Sequence, residues 1–566
     1  MKKLLLSICC LVAVFLANAQ PTFWAKSMGG NNTDYGTSIT VDAAGNVYTV
    51  GTFLDSVDFD PGVGVYKLVS TYTGSPFTVG NDVFISKLDA SGNFVWAKSM
   101  GGNVADFGWS VAVDAAGNVY TVGNFKGLAD FDPGAGTYNL ASKGSWDVFI
   151  SKLNASGNFV WAKTLGGTNF EAALSVTVDA SGNVYTTGNF NGTADFNPAD
   201  TLDYFMTAAS GDIFISKLDS SGKFVWAKKL GGTGDDGGNS IHIDAWGNIY
   251  TTGYFQYTGD FDPGTGLVSL IAEGDYDIFI SKLDPAGNFK WAKQIGGIAF
   301  DEGGELTSDA SGNLYVCGNY NGTVDLDPGA GVFNLNNDLN FGFTLKLDSS
   351  GNFAWAKSIG NGCIALDASR NVYVTSSFQG TADFDPGTGT YNLTSSGSDD
   401  IYIAKLDASG NIVWATHMGG TLSDWGRDIA VDASGNVYTL GWFNDIANLD
   451  PRAGIFNLTS KGKSDIFVHK MNQTKVGIKE NMNPGNMDYV TIYPNPSNGI
   501  INVALLYPKN TIRFEIYNSI GELVYKQERI SELNTIDMKT VSNGLYFVKI
   551  TDNENKISTT KFLKTD

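Results

Sequence analysis

One short motif, Trp-Ala-Lys, returns seven times along the chain, and that recurrence constrains the fold more than any other property of the sequence. It begins at Trp24, Trp96, Trp161, Trp226, Trp291, Trp355 and Trp414, with Thr416 in place of lysine in the last copy. Successive spacings are 72, 65, 65, 65, 64 and 59 residues. A second marker, Asp-Phe-Asp-Pro-Gly, opens at Asp58, Asp130, Asp260 and Asp383, with variant copies opening at Asp195, Asp325 and Asn448. A chain of 566 residues is also longer than a single hydrophobic core supports, so an array of units or several domains is required.

Each unit contains four short strand-like runs. In the second they are Ser110–Asp114, Val119–Phe125, Val148–Leu153 and Phe159–Thr164, separated by Asp-Ala-Ala-Gly-Asn or Asn-Ala-Ser-Gly-Asn turns and one long loop. Runs rich in Val, Ile, Phe, Tyr, Trp and Thr bounded by Gly and Asn are strand signals, and the turn glycines supply the positive φ of a tight hairpin. Four antiparallel strands per unit, repeated seven times, predict an all-β fold: a seven-bladed β-propeller with four-stranded blades. A solenoid would need atypical end caps, and none is seen. Phe23–Met28 is a fourth-strand sequence with no preceding three, and the last unit stops after Asp465–Met471 without its Trp strand. The N-terminal strand is therefore expected to complete the seventh blade and close the ring, which removes open sheet edges.

Residues 23–471 resemble the bacterial β-propeller repeats known as SBBP repeats, through recurring "DaaGNvYvtG" and "DvFisKlda.Gn..Wak" features. The resemblance implies a fold and an extracellular setting but no single activity. Residues 490–566 read as a small Ig-like β-sandwich from their alternating apolar runs. The opening Tyr493-Pro494-Asn495-Pro496 with Gly499, the Asn543-Gly544-Leu545-Tyr546 element and the basic, apolar end resemble the type A C-terminal sorting domain of the type IX secretion system. That resemblance implies passage across the outer membrane, then release or surface attachment, in a bacterium of the Bacteroidota type. The secretion machinery is thus an expected partner.

The two ends agree with export. Lys2 and Lys3, the apolar run Leu4–Leu16 and Ala17-Asn18-Ala19 read as a signal peptide over residues 1–19. The propeller then spans 20–471, and the polar segment 472–489 is a linker. Ile8 before Cys9 is a poor neighbour for lipoprotein cleavage, and no other segment approaches the ~20 apolar residues of a membrane span. Only Cys317 and Cys363 survive maturation, and they read as two unrelated small core residues rather than a disulfide framework. A net charge of −21 repels phosphate backbones and anionic lipid, which argues against nucleic-acid and membrane-surface partners.

No catalytic set is legible. His242, His417 and His469 fall in different units and read as structural, and neither a Ser-His-Asp ordering nor a Cys/His metal spacing appears. The Gly-Gly pairs after each Trp strand read as turn residues. The carboxylate pairs Asp58/Asp60, Asp130/Asp132, Asp260/Asp262, Asp325/Asp327 and Asp383/Asp385 could supply oxygen ligands for Ca²⁺. Because they follow the repeat, the favoured reading is that they accept backbone N–H groups and set Pro-Gly turns. Asp34, Asp106, Asp236, Asp301 and Asp424 are expected on the same loop face. Trp109, Trp246, Trp425 and Trp442 depart from the repeat near loops and are the candidate ligand contacts. The sixth unit is short, with 12 residues from Trp355 to Asp367 where the other six intervals are 18, leaving a notch in the loop face. The expected role is an exported propeller that binds glycan or protein or acts as a scaffold, more plausibly than an enzyme. It requires no cofactor, with Ca²⁺ the one ion its carboxylates suit. The alternatives are a secreted polysaccharide-active enzyme with its site at the ring centre and a calcium-stabilised adhesin.

Overall fold

A computed structural model describes residues 23–71, 80–198, 203–336, 342–451 and 454–472, and in the C-terminal part 490–493, 500–505, 511–518, 522–528, 533–552 and 557–564. The signal peptide, most of the linker and the Pro494–Gly499 part of the sorting motif lie outside these residues. The chain divides into two compact units, 1–474 and 475–566, each all-β and antiparallel.

In the first unit one four-strand order recurs. Asp106–Val113 pairs with Val119–Phe125, which pairs with Asp147–Leu153, which pairs with Phe159–Gly167. The same order starts from Tyr35–Val41, Glu171–Val178, Gly237–Ile243, Asp301–Ser308, Cys363–Leu366 and Trp425–Val431. In the array that starts at Trp425, the fourth strand is Phe23–Gly30, paired with Asn457–Met471 from Phe23↔Met471 to Met28↔Ile466.

A cluster built from the repeat residues holds each array. The second-strand tyrosine (Tyr48, Tyr120, Tyr185, Tyr250, Tyr315, Tyr373, Tyr438) is buried. In each case its hydroxyl donates to the turn aspartate six residues earlier, for example Tyr120 to Asp114 Oδ2 at 2.9 Å. A third-strand lysine lies over its ring, 4.8 Å away for Lys152 on Tyr120. The Trp of the Trp-Ala-Lys motif meets it edge-on, at 6.4 Å for Tyr120–Trp161 and at 6.4 Å for Tyr438–Trp24, where the two rings come from opposite ends of the chain. Burial opposes ionisation of the turn aspartates, but the side-chain amide of the Asn four residues on (Asn118 to Asp114 Oδ2, 2.8 Å) and two backbone N–H groups (Asn118 and Ala116 on Asp114 Oδ1) together hold the Asp42, Asp114 and Asp432 carboxyls below their ordinary range.

Arg370 occupies the place of the turn glycine in the sixth array, at φ 66° where Gly117 sits at 79°. A side chain in the left-handed region costs about 1 kcal/mol. Arg370→Gly is therefore expected to stabilise the protein by about that amount, measured as a shift of the chemical denaturation midpoint; an unchanged midpoint would show the turn to be unstrained.

Two sequence expectations need correction. The Gly-Gly pairs are strand residues, not turns: Gly101 and Gly102 pair with Asp130 and Ala129, so Leu128–Asp130, which ends on the first Asp of the Asp-Phe-Asp run, is a short strand hydrogen-bonded to the preceding fourth strand. Glycine is required there because a Cβ on Gly101 would sit 2.7 Å from Asp82 Oδ1 and 2.9 Å from Asp106 Oδ2, and one on Gly102 would sit 2.1 Å from the Leu128 carbonyl. Those two carboxylates exemplify the second correction. Asp34, Asp106, Asp236, Asp301 and Asp424 are not displayed on a loop face but are at most 1% exposed. Each accepts an N–H from the second glycine of its pair, 2.7 Å for Gly102 to Asp106. Each lies against a buried aspartate in the third strand of the preceding array: Asp465, Asp82, Asp212, Asp277 and Asp400 respectively, with Asp147 facing Glu171 in the remaining case.

The first strands also bond to one another. Ser38 Oγ accepts from Val111 N (3.4 Å), Ser110 from Val176 (3.2 Å), Ser175 from Ile241 (3.2 Å) and Ser240 from Leu306 (3.3 Å). Glu305 Oε2 accepts from Ile364 N (2.8 Å), and Asp428 Oδ2 accepts from Ile39 N (2.7 Å), so the series returns from the last array to the first. The residues lining this inner face enclose a polar cavity of about 400 Å³.

The C-terminal unit has two antiparallel sheets, one containing Val490–Tyr493 and Ile500–Leu505, the other Thr511–Tyr517 and Gly544–Asp552. Ile501 and Ile536 from the first share a core with Phe514, Ile516, Tyr546 and Val548 from the second.

Candidate functional site

The edge formed by first-strand starts, second-strand ends and third-strand starts carries the side chains that break the repeat. Each of the paired positions Tyr35↔Thr52, Phe107↔Asn124, Gly237↔Tyr254 and Trp425↔Trp442 holds different residues, while the strands beneath them keep the same pattern. Variation over a constant scaffold is the usual form of a binding surface.

One such position opens a pocket. Gly237 has no side chain, and a Cβ there would lie 2.6 Å from Tyr254 Cζ, so the Tyr254 ring folds across it. Tyr254 meets Tyr276 edge-on at 5.4 Å, and Tyr276 meets Phe300 at 5.4 Å. These three rings, with Asn189, Asn191, Asp235, Asp236 and Glu302, line a cavity of about 400 Å³ between three consecutive arrays. Asp235 Oδ1 accepts from Ser210 Oγ (2.7 Å) and Gly211 N (3.1 Å), and Glu302 Oε1 accepts from Asn239 Nδ2 (2.7 Å). Burial raises the Glu302 carboxyl, and burial with the Glu302 charge pushes the Tyr254 phenol up to about 12, so Tyr254 is a hydrogen-bond donor at neutral pH. Aromatic faces beside carboxylate and amide groups suit a hydroxylated ring, which offers apolar C–H surface and several hydrogen-bonding groups.

The four tryptophans do not converge on it. Trp425 and Trp442 stack at 5.9 Å and 7° beside Tyr35, forming a separate aromatic patch. Trp109 stacks on Phe107 and donates to Asn124 Oδ1 at 2.6 Å. Trp246 is 59% exposed, but it lies in a first-to-second-strand turn at the opposite edge, with Gly312 of the next array packed beneath its ring.

In the acidic loops the first aspartate of each pair bridges the loop. Asp58 Oδ1 accepts from Asp60 N (3.2 Å) and Tyr66 N (2.9 Å), and Asp130, Asp260, Asp325 and Asp383 repeat this with Asp132/Tyr138, Asp262/Val268, Asp327/Phe333 and Asp385/Tyr391. The second aspartate accepts from the Pro-Gly glycine, 2.8 Å for Gly62 to Asp60. His417 Nδ1 contacts Asp400 at 3.0 Å, and His242 Nε2 contacts Ser308 Oγ at 2.9 Å with burial lowering the imidazole to about 4.

The sequence reading missed the cluster of Glu305, Cys363 and Asp428. Their ligand atoms all lie within 4.8 Å of one another, and Glu305 and Asp428 line the polar cavity beside the first strands. The signal was present: aligning the first strands puts Ser38, Ser110, Ser175 and Ser240 in one column with these three residues. The shortened sixth unit hid the alignment of Cys363.

Two family models match the chain, one in the repeat unit and one in the C-terminal unit. Residues 24–52 match the family model described as a beta-propeller repeat, and residues 491–565 match the secretion system C-terminal sorting domain. The chain thus carries a type IX sorting domain, which marks it for export and for secretion or attachment at the outer-membrane surface. Among the described residues no helix is long and apolar enough to cross a membrane. The chain is 26% identical over 433 residues to an uncharacterised WD repeat-containing protein of Acanthamoeba polyphaga mimivirus, covering 62% of this chain and 31% of the relative. It is 26% identical over 181 residues to the regulatory protein FlaEY of Caulobacter vibrioides, covering 31% of this chain and 19% of the relative. It therefore matches about a third and a fifth of the lengths of these curated relatives. Among solved structures, PorZ, a surface component of the Porphyromonas gingivalis type IX secretion system, aligns at 11% identity and TM-score 0.25 over 96% of this chain and 100% of PorZ. A protein of unknown function from Bacteroides caccae aligns at 10% identity and TM-score 0.27 over 61% of this chain and 92% of its own.

Proposed function

We propose that the seven arrays are the blades of a closed propeller, followed by an Ig-like sandwich, and that the exported protein is a glycan-binding module of the cell surface or secreted fraction. The hydrogen bonds that run from Ser38 through successive first strands and back from Asp428 to Ile39 support ring closure. The observation that carries the binding role is the pocket of Tyr254, Tyr276 and Phe300 beside Asp235 and Glu302, set in an otherwise regular edge. A neutral or basic sugar fits this chemistry better than an acidic one, because the pocket carries carboxylates and no lysine or arginine among its lining residues.

The test is binding of the full mature protein to a panel of neutral, amino and acidic polysaccharides by affinity electrophoresis, with and without Ca²⁺ and EDTA. Tyr254→Ala is expected to weaken retention about tenfold, the order of one well-placed aromatic contact, whereas Trp246→Ala on the opposite edge leaves it unchanged. Retention untouched by Tyr254→Ala, or absent for every glycan, would overturn this reading. Retention that disappears with EDTA would instead favour a calcium-dependent adhesin built on the Asp-Phe-Asp loops.

A further inference from the structure

We infer that Glu305, Cys363 and Asp428 form a binding site for one divalent transition-metal ion of the zinc type at the centre of the first-strand ring. In four arrays a serine hydroxyl at this position accepts one N–H from the next first strand, and Ser38 also bonds the Asp428 carboxylate. The last three arrays in chain order replace it with Glu, Cys and Asp. Glu305 performs this task with Oε2, and its carboxylate also takes a hydrogen bond from the Cys363 thiol. Asp428 performs it with Oδ2, while Oδ1 accepts from its own Ile429 N at 2.7 Å. Cys363 does not perform it: its thiol turns to the Arg427 carbonyl at 2.9 Å. Three side chains able to ligate a metal thus replace the serine in three consecutive arrays.

Their donor atoms are close enough to share an ion. The 4.8 Å limit on their mutual separation exceeds the spacing around a tetrahedral zinc ion with bonds of about 2.0–2.3 Å by at most about 1.5 Å. A thiolate with two carboxylates selects a borderline-soft metal over Ca²⁺ or Mg²⁺, which take oxygen alone. Glu305 and Asp428 line the 400 Å³ central cavity, so a fourth position is open to water. The remaining charge and thiol nearby are Arg427, on the strand of Asp428, and Cys317 behind the cluster, whose Sγ contacts the Gly362 carbonyl at 3.0 Å. Metal binding would take Cys363 as the thiolate, releasing its proton.

The experiment is Co²⁺ titration of the reduced full mature chain, followed by its thiolate-to-cobalt charge-transfer absorption, with Zn²⁺ competition. One equivalent should bind with a sulfur charge-transfer band that Zn²⁺ removes. Cys363→Ser should abolish the band, and Glu305→Ser or Asp428→Ser should weaken binding at least tenfold. Serine is the residue the first four arrays carry, so these variants keep the structural hydrogen bond, and an unchanged thermal midpoint in metal-free buffer checks it. Cys317→Ser should leave the band intact. Absence of the band, its survival in Cys363→Ser, or its loss only in Cys317→Ser would overturn the assignment.

Discussion

The thermal unfolding midpoint of this protein should fall by several degrees between about pH 5 and about pH 8.5, opposite to the usual behaviour of an acidic protein. The cause is the series of buried carboxyl pairs between arrays. Burial pushes Asp34, Asp82, Glu171, Asp236, Asp301 and Asp424 up to about 7 and Asp106 up to about 8, with a facing carboxylate adding to the shift for Asp34, Asp106, Glu171, Asp236, Asp301 and Asp424. In the unfolded chain these groups titrate near 4. Between about 4 and 8 the folded state therefore binds more protons than the unfolded state, and stability declines as pH rises through that window. Each group contributes about 1.4 kcal/mol per unit of displacement, and members of a pair share rather than add their effects. The turn aspartates work the other way. Asp42, Asp114, Asp179, Asp309, Asp367 and Asp432 are held below their ordinary range, so their contribution is present above about 4 and is lost on further acidification. Stability should thus peak between these two windows. Calorimetry across the range checks this, and Asp106→Asn with Asp301→Asn, which mimic the protonated form, should flatten the alkaline decline. A midpoint that rises steadily to pH 8 would contradict it.

Deleting residues 20–30 should abolish cooperative folding of the repeat unit and expose an aggregation-prone edge. Phe23–Gly30 is the outer strand on Asn457–Met471, and its removal leaves that strand's N–H and C=O groups unpaired along one side. It also withdraws buried Trp24, Ala25 and Met28 and takes the ring partner from Tyr438. A milder variant separates packing from pairing. Trp24→Ala keeps the strand but should cost about 3–5 kcal/mol, as Trp96→Ala should within an internal array, because both rings are 8% exposed in equivalent settings. Urea denaturation followed by tryptophan fluorescence and light scattering distinguishes the two. A deletion variant that keeps the parent midpoint would mean that the ends do not depend on each other.

Much of the architecture was legible because each array is built from local signals. The Asp-x-x-Gly-Asn turns, the Tyr that reaches back to the turn Asp and the Trp-Ala-Lys strand recur with constant offsets, and constant offsets are visible without coordinates. The unmatched fourth strand at Phe23 and the missing one after Met471 pointed to each other for the same reason. The pocket was less legible. Tyr254, Tyr276 and Phe300 are separated by 22 and 24 residues and come from adjoining arrays, so no window contains them. Departures from the repeat led instead to Trp109, Trp246, Trp425 and Trp442, none of which lines that pocket.

The sequence by itself determined the repeat, its strand order, the complementary chain ends and the sorting domain, because hydrophobic alternation, turn chemistry and motif spacing are properties of neighbours in the chain. Only the tertiary structure decided that Gly101 and Gly102 are strand residues pressed against Asp82, Asp106 and the Leu128 carbonyl. Only it brought Glu305, Cys363 and Asp428 together, since their positions are 58 and 65 residues apart and become neighbours through first strands packed side by side. Distance along the chain says nothing about which side chains share a space. Packing between arrays sets that, and it also sets how far a buried carboxyl holds its proton.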